Sequence, residues 1–238
     1  MRGSAIQIAT QAAAELGLPI PTELAISLDQ TSTQMFALLN SAINELALYY
    51  EWNFLVKTAT ITTVAGQAAY PYPDDLGRVI NDTLWSKSEA RPTTGPVSPS
   101  NWQHLTNGIV TIGPFSMYRI NGNQIEFLPV PSESGLVFSY QYVSNAAVQS
   151  YLDPNAYTSF ITNDGDLPLF DYWLLVKLLK LKLWQAKGLD TTSLVNDFAR
   201  LMDAFTGQDQ GAPQLSLTSR RQHPFLTTYN LPDGNWRT

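Results

Sequence analysis

Apolar residues recur with a helical period through the first fifty positions. Ser4 stands before an Ala-rich amphipathic stretch, which predicts a short helix to Leu16, stopped by Gly17 and the Pro19 and Pro21 pair. A longer helix is expected from about Thr33 to Tyr50. Met35, Phe36, Leu38, Leu39, Ala42, Ile43, Leu46, Tyr49 and Tyr50 fall on one face at 3.6 residues per turn, with Asn40, Ser41, Asn44 and Glu45 opposite.

The period then changes. From Phe54 to about Val143 the chain is rich in Thr, Val, Ile and Tyr and is broken by Ala65-Gly66, Asn121-Gly122 and Ser134-Gly135, the pattern of short antiparallel strands. The best hairpin runs from Tyr118 to Leu128. Asn121-Gly122 offers the positive φ angles of a tight turn, and Ile125 and Phe127 alternate with Gln124 and Glu126. On the next strand Leu136, Phe138, Tyr140 and Tyr142 share a face, with Ser139 and Gln141 on the other. Residues 91–108 read as a Pro/Ser/Thr/Gly-rich loop carrying Trp102, with one helical turn started by Ser98 or Ser100.

Helical spacing returns at about Leu169. Between Phe170 and Lys187, apolar residues that include Trp173 and Trp184 cover more than half of the circumference, so this helix must be buried on more than one side. Lys177, Lys180 and Lys182 interrupt a short run and exclude a membrane span. On a helical wheel Lys177, Lys180 and Lys187 cluster beside the two tryptophans. They read as a solvated face or as a stripe that touches DNA phosphates. Lys182 sits in the apolar arc and must snorkel or meet an acid. Gly188 ends the helix. Thr192 or Ser193 caps another that carries Leu194, Val195, Phe198, Leu201, Met202 and Phe205, and periodicity stops after Gly207.

The expected fold is α+β. Helices in 1–53 and 168–207 form one bundle, an antiparallel β-rich block in 54–167 is inserted in it, and 208–238 is an extended C-terminal arm. The arm is polar but carries Phe225, Tyr229 and Trp236, large anchors of the kind that dock into grooves on a partner. Fully extended it reaches roughly 100 Å at about 3.3 Å per residue. The absence of a repeat at a period of 20–50 residues disfavours solenoids and propellers.

Composition narrows the chemistry. The 238 residues are 14% charged, below the usual quarter, at a normal apolar fraction of 44%. With no cysteine there is no disulfide framework, thiolate metal site or cysteine nucleophile. Two histidines, His104 and His223, leave little for metal or acid–base work. A net charge of −6 argues against a basic nucleic-acid reader, though not against a wall along which DNA slides. The start, Met1-Arg2-Gly3-Ser4, leads into an Ala-rich helix rather than an apolar signal core, so no targeting segment is expected.

A search for catalytic motifs returns little: no dinucleotide or phosphate loop, no HExxH and no GxSxG. Asp164 and Asp166 begin like an acidic calcium loop, but the twelfth position is Leu174 or Leu175 instead of Glu, and a solvated turn is the plainer reading. Asp74-Asp75 imitates a glycosidase carboxylate pair, whereas a helix N-terminus after Pro73 accounts for both acids. His104 beside Trp102 reads as loop packing or protein contact ahead of a sugar site. No catalytic residue, metal or cofactor is expected.

A resemblance comes from the order of features. Tyr50-Glu51-Trp52-Asn53-Phe54, then Ala65-Gly66-Gln67, then Tyr70-Pro71-Tyr72-Pro73-Asp74-Asp75 and Arg78, is similar to the head-to-tail adaptor proteins of short-tailed phages. The run Tyr118 to Pro131, then Gly135 and Phe138-Ser139-Tyr140, resembles that family's hairpin and following strand. The resemblance covers residues 33–205.

It implies a structural virion protein, assembled in the host cytoplasm. A homo-oligomeric ring, typically of twelve copies, would sit between the portal protein and the tail nozzle or tail tube and let double-stranded DNA pass, without a membrane. Partner-facing candidates are then Trp173, Lys182, Trp184, Phe225, Tyr229 and Trp236, since a ring subunit buries two flanks. Another neck or tail component, such as a terminator or tube protein, remains open. So does a glycan-binding tail module built on Trp85 and Trp102.

Overall fold

Ser4 closes a capping box with Gln7, the Gln7 side chain accepting from the Ser4 N–H at 3.0 Å, and so starts helix α1, Ala5–Leu16. Gly17 ends α1 at φ 67°, a left-handed position open to glycine without a Cβ penalty. The structure, a computed structural model, describes residues 2–107 and 116–210. Helix α2, Gln30–Tyr49, begins a turn earlier than the period predicts. Asp29 caps it by accepting from the Ser32 N–H at 2.9 Å. Its inner face is Met35, Leu39, Ala42, Ile43, Leu46 and Ala47, but Tyr49, expected on that face, is 72% exposed.

A single 3₁₀ turn, Asn53–Leu55, leads into the strands: β1 (Val56–Thr62), β2 (Ala69–Pro71), β3 (Leu76–Val79), β4 (Trp85–Ser86), β5 (Arg91–Pro92), β6 (Met117–Asn121), β7 (Gln124–Leu128), β8 (Val137–Ser144), β9 (Val148–Gln149), β10 (Tyr157–Thr158) and β11 (Leu167–Pro168). β8 is the spine of the largest sheet. It pairs antiparallel with β1 from Val56↔Val143 to Thr62↔Val137, and with β3 and β4 along its other edge. β2, β7 and β6 form a second sheet, and β10, β9 and β11 a third. The hairpin turn is Gly122-Asn123, one residue later than expected. Asn121 still pairs with Gln124, and of the two turn residues only Gly122 takes a positive φ, 58°.

Within residues 91–107 the sequence expectation of a single helical turn expands to α3, Pro99–Asn107, with the Ser98 hydroxyl accepting from the Asn101 N–H. Helix α4, Tyr172–Ala186, packs against α1, α2 and the last helix, α5, Thr192–Gln210. Thr192 and Ser193 lie inside the first turn of α5 rather than capping it. Asp190 takes that role, accepting from the Thr192 N–H at 3.0 Å. Helix α5 runs through Gly207, so residues 208–210, expected in the arm, are helical.

Two apolar cores result. One joins α1, α2 and α4 with Trp52, Leu55, Val143, Val148, Ile161 and Phe170. The other lies among the strands around Tyr118, Ile125, Phe127, Phe138 and Tyr140. Strand β8 belongs to both, giving Phe138, Tyr140 and Tyr142 to the second and Val143 to the first. Helix α5 is held more thinly: on its inner stripe Met202 is buried, while Leu194, Phe198, Leu201 and Phe205 are half-buried.

Carboxylates tie loops to this frame. Asp164 accepts from the Leu24 and Ala25 N–H groups, at 2.8 Å for Ala25, and pins the loop between α1 and α2. Asp166, with no exposed surface, accepts from the N–H groups of Tyr151, Thr162 and Asn163 at 2.8–2.9 Å. Burial pushes its carboxyl upward, but those donors and the Thr162 hydroxyl outweigh it and hold the pKa below the ordinary 3.8.

Two stability outcomes follow from this frame. Leu46→Ala should cost about 2–5 kcal/mol, the range for a buried leucine, and half-buried Phe198→Ala less, measured by urea unfolding. Groups whose carboxyl pKa is lowered on folding stabilise fully above their unfolded values and lose that contribution as pH falls through the folded ones. The urea midpoint should therefore hold steady down to about pH 5 and drop below it. Asp166→Asn should start lower by about 1–3 kcal/mol, because buried N–H groups lose their acceptor, and its midpoint should fall less steeply in acid.

Candidate assembly interface

Of the acids that invited a catalytic reading, Asp75, Asp164 and Asp166 are engaged as structural acceptors. The helix expected after Pro73 does not form, because Asp74 and Asp75 sit in the turn before β3. Asp75 accepts from Lys57 Nζ at 2.7 Å, Ser144 Oγ at 2.7 Å and Tyr142 Oη at 2.9 Å, which ties β1, β3 and β8 together. Burial raises its pKa, and those three donors overcome the effect and hold it below 3.8. The same contact pushes the Tyr142 hydroxyl upward, burial being the larger cause. Asp164 and Asp166, read as a solvated turn, are instead the loop anchors described above. Among the described residues no three His, Asp or Glu side chains gather where a metal ion could be held.

His104 lies exposed in the last turn of α3. Trp102 is only 6% exposed, and the Arg119 guanidinium stacks 4.5 Å from its ring, so it offers no open platform to a sugar. Arg119 is itself paired with Glu126 at 2.6 Å.

The lysines of α4 do not form one solvated stripe. Lys180 is 8% exposed, and its Nζ lies 2.5 Å from Glu15 of α1. Glu15 is pushed up by burial, and Lys180 and Gln11 more than reverse this, leaving its pKa below 4.5. Lys177 reaches Asp197 of α5 at 3.7 Å. Lys182, the residue expected to need an acid, meets Glu45 of α2 at 2.5 Å. Only Lys187 of the expected trio is exposed, at the C-terminal end of α4. Of the two tryptophans, Trp173 is 47% exposed beside Tyr172, and Trp184 is half-buried.

The residues that carried the resemblance turn out to be joints. Trp52 is buried, donates to the Leu46 carbonyl at 2.7 Å and meets Phe170 edge-on. Glu51 pairs with Arg78 at 3.3 Å. The Tyr70 hydroxyl receives the Val64 N–H at 2.9 Å and donates to carbonyls of the turn around Gly66. The Tyr72 hydroxyl donates to the Gly122 carbonyl and holds the hairpin tip.

What this frame leaves open to a partner is apolar. Leu48 and Tyr49 stand out of α2, and Tyr49 lines a groove of about 220 Å³ between α2 and α5. Ile26 and Leu28 project from the loop that Asp164 holds, and Tyr151, Leu152 and Phe160 from the segment that Asp166 holds. These exposed apolar groups, two of their segments held by the carboxylates of Asp164 and Asp166, are the candidate contact residues. The sequence carried one usable signal for them. Leu46-Ala47-Leu48-Tyr49 is four apolar residues in a row, which no single helix face can bury. Phe225, Tyr229 and Trp236 lie outside the described residues.

Among the described residues no helix is long and apolar enough to cross a membrane. No curated protein matches the chain. A family model described as SU10 adaptor protein matches residues 4–224.

Proposed function

We propose a definite place in the virion for this chain, which belongs to the SU10 adaptor protein family, a family of structural phage head-to-tail adaptors. Copies of it form a ring between the portal protein and the tail nozzle or tail tube. Twelve copies, one per portal subunit, extend the DNA channel. The family match along residues 4–224 carries this reading.

The physics of the surface agrees with it. In a closed ring two different flanks of each copy meet, so two distinct apolar patches are needed on one molecule. Leu48, Tyr49 and Val195 supply one, and Ile26, Leu28, Leu152 and Phe160 supply candidates for the other. Trp173 joins the contact surface. Lys182 and Trp184, drawn into the helix packing, support it from within. The aromatic residues of 211–238 serve as anchors in assembly. A net charge of −6 gives a channel wall that repels phosphate and lets the duplex slide. Lys187 is left as a local cationic contact. Assembly takes place in the host cytoplasm, and the role calls for no catalysis.

Mixed with the portal ring encoded by the same genome, the purified protein should give one discrete particle whose mass corresponds to one adaptor per portal subunit. No complex at any salt concentration would overturn this placement. Asp75→Ala should destabilise the β-sheets, read as a lower urea midpoint, and should abolish no enzymatic turnover.

A further inference from the structure

The groove between α2 and α5 has a floor at Met202 and Phe198, walls at Tyr49 and Val195, and an acidic rim at Glu45 and Asp203. Met202 is buried, whereas Tyr49 is 72% and Val195 42% exposed. At about 220 Å³ it is smaller than the roughly 300–1,000 Å³ of small-molecule sites. A space of that size and lining suits a large side chain delivered by a polypeptide.

We propose that residues 211–238 of the same chain fold back along α5 and seat an aromatic side chain in this groove while the protein is free. Charge is the first support. Residues 211–238 hold Arg220, Arg221 and Arg237 against Asp233, which leaves eleven basic against nineteen acidic residues in 1–210. A cationic segment is therefore tethered to a strongly acidic body whose groove carries Asp203 on its rim beside the Glu45–Lys182 pair. Arg200 and Lys182 are the nearby cations on α5 and α4. Lys182 is taken up by Glu45, and Asp197 of α5 by Lys177.

Side-chain chemistry is the second support. Phe225, Tyr229 and Trp236 are the kinds of residue that dominate buried anchors, and they are spaced along a polar segment. Exposed ion pairs contribute little energy, so the aromatics carry the affinity and the arginines set where the arm lies.

Reach is the third. The end of α5 is pinned where Asp209 accepts from the Asn53 N–H at 2.9 Å. From there Met202 lies about 12 Å back along the helix at 1.5 Å per residue. The segment up to Phe225 spans as much as ~50 Å. A short tether supplies effective concentrations on the order of millimolar, so docking within one chain outcompetes docking between chains in dilute solution. Assembly then has to displace the arm, which frees both its anchors and the groove.

The chain contains no cysteine, so Asn196→Cys, an exposed position on α5 next to Val195, accepts a single nitroxide spin label. The amide signals of residues 225–231 and 233–237 in the full-length protein should be lost to paramagnetic broadening, to the same extent at every protein concentration. Phe225→Ser with Tyr229→Ser and Trp236→Ser should restore them. Val195→Lys, which places a like charge in the groove, should do the same. Unchanged amide positions in α1 and α4 report that each variant is folded. Arm signals untouched by the label would overturn the proposal, and so would broadening that grows with concentration, which assigns the groove to a second copy. The experiment uses the isolated chain, so its outcome is separate from that of portal binding.

Discussion

Helix α4 occupies the middle of the helical layer with two inner lysines, each held by a carboxylate on a different neighbour, while a third lysine, half-buried Lys177, reaches an acid at the edge. Lys180 meets Glu15 of α1, Lys182 meets Glu45 of α2 and Lys177 meets Asp197 of α5. At 3.6 residues per turn Lys177 and Lys180 point about 60° apart, and Lys182 about 140° from Lys177. Three directions require three partners. An ammonium left inside without its acid is far more costly than the pair is favourable, so these contacts fix the rotation and the height of each helix around α4 more than they add net stability. Leucines at 174, 175, 178, 179, 181 and 183 fill the same interface without choosing a register.

The β-region is attached by a constraint of the same kind. β8 runs out of the strand core and into the helical core within two residues, from Tyr142 to Val143. At that crossing Asp75 gathers Lys57, Tyr142 and Ser144, one donor from β1 and two from β8. The Glu51–Arg78 pair and the buried Trp52 flank the same junction. Glu51, Trp52, Asp75 and Arg78 are thus the pieces that set the strand region against the helices.

Much of this was legible in the sequence, and the failures share a cause. The start and stop of α1 could be read from Ser4, Gln7 and Gly17 because capping is local chemistry. The faces of β8 could be read from a period of two. The wheel of α4 chose Lys182 as the buried lysine, yet Lys180 is buried too, since its burial depends on Glu15 lying opposite it 165 residues earlier in the chain. Asp74-Asp75 after a proline has the local look of a helix start, and Asp75 is instead claimed by strands that pair from far along the chain. Asp166 looked like a turn residue in solvent, because the three N–H groups it serves converge only in the folded loop. Tyr49 carried the right period for α2, but one face of α2 is too narrow to bury both Leu46 and its apolar neighbours.

Taken together, these placements decide what is left for the outside. Asp75, Asp166, Glu15 and Glu45, acids that could have served chemistry or salt-dependent recognition, already have protein partners, and Arg119 and Lys57 are likewise engaged. With these charges committed internally, apolar shape is what the described surface offers to a partner, and the net negative charge acts at longer range. That division suits a structural phage adaptor. The weakest grip within the chain is that of α5, whose stripe is mostly half-buried and whose flank opens into the apolar groove. Since local openings draw on the elements with the fewest buried contacts, α5 is where a partner changes this fold at the least cost.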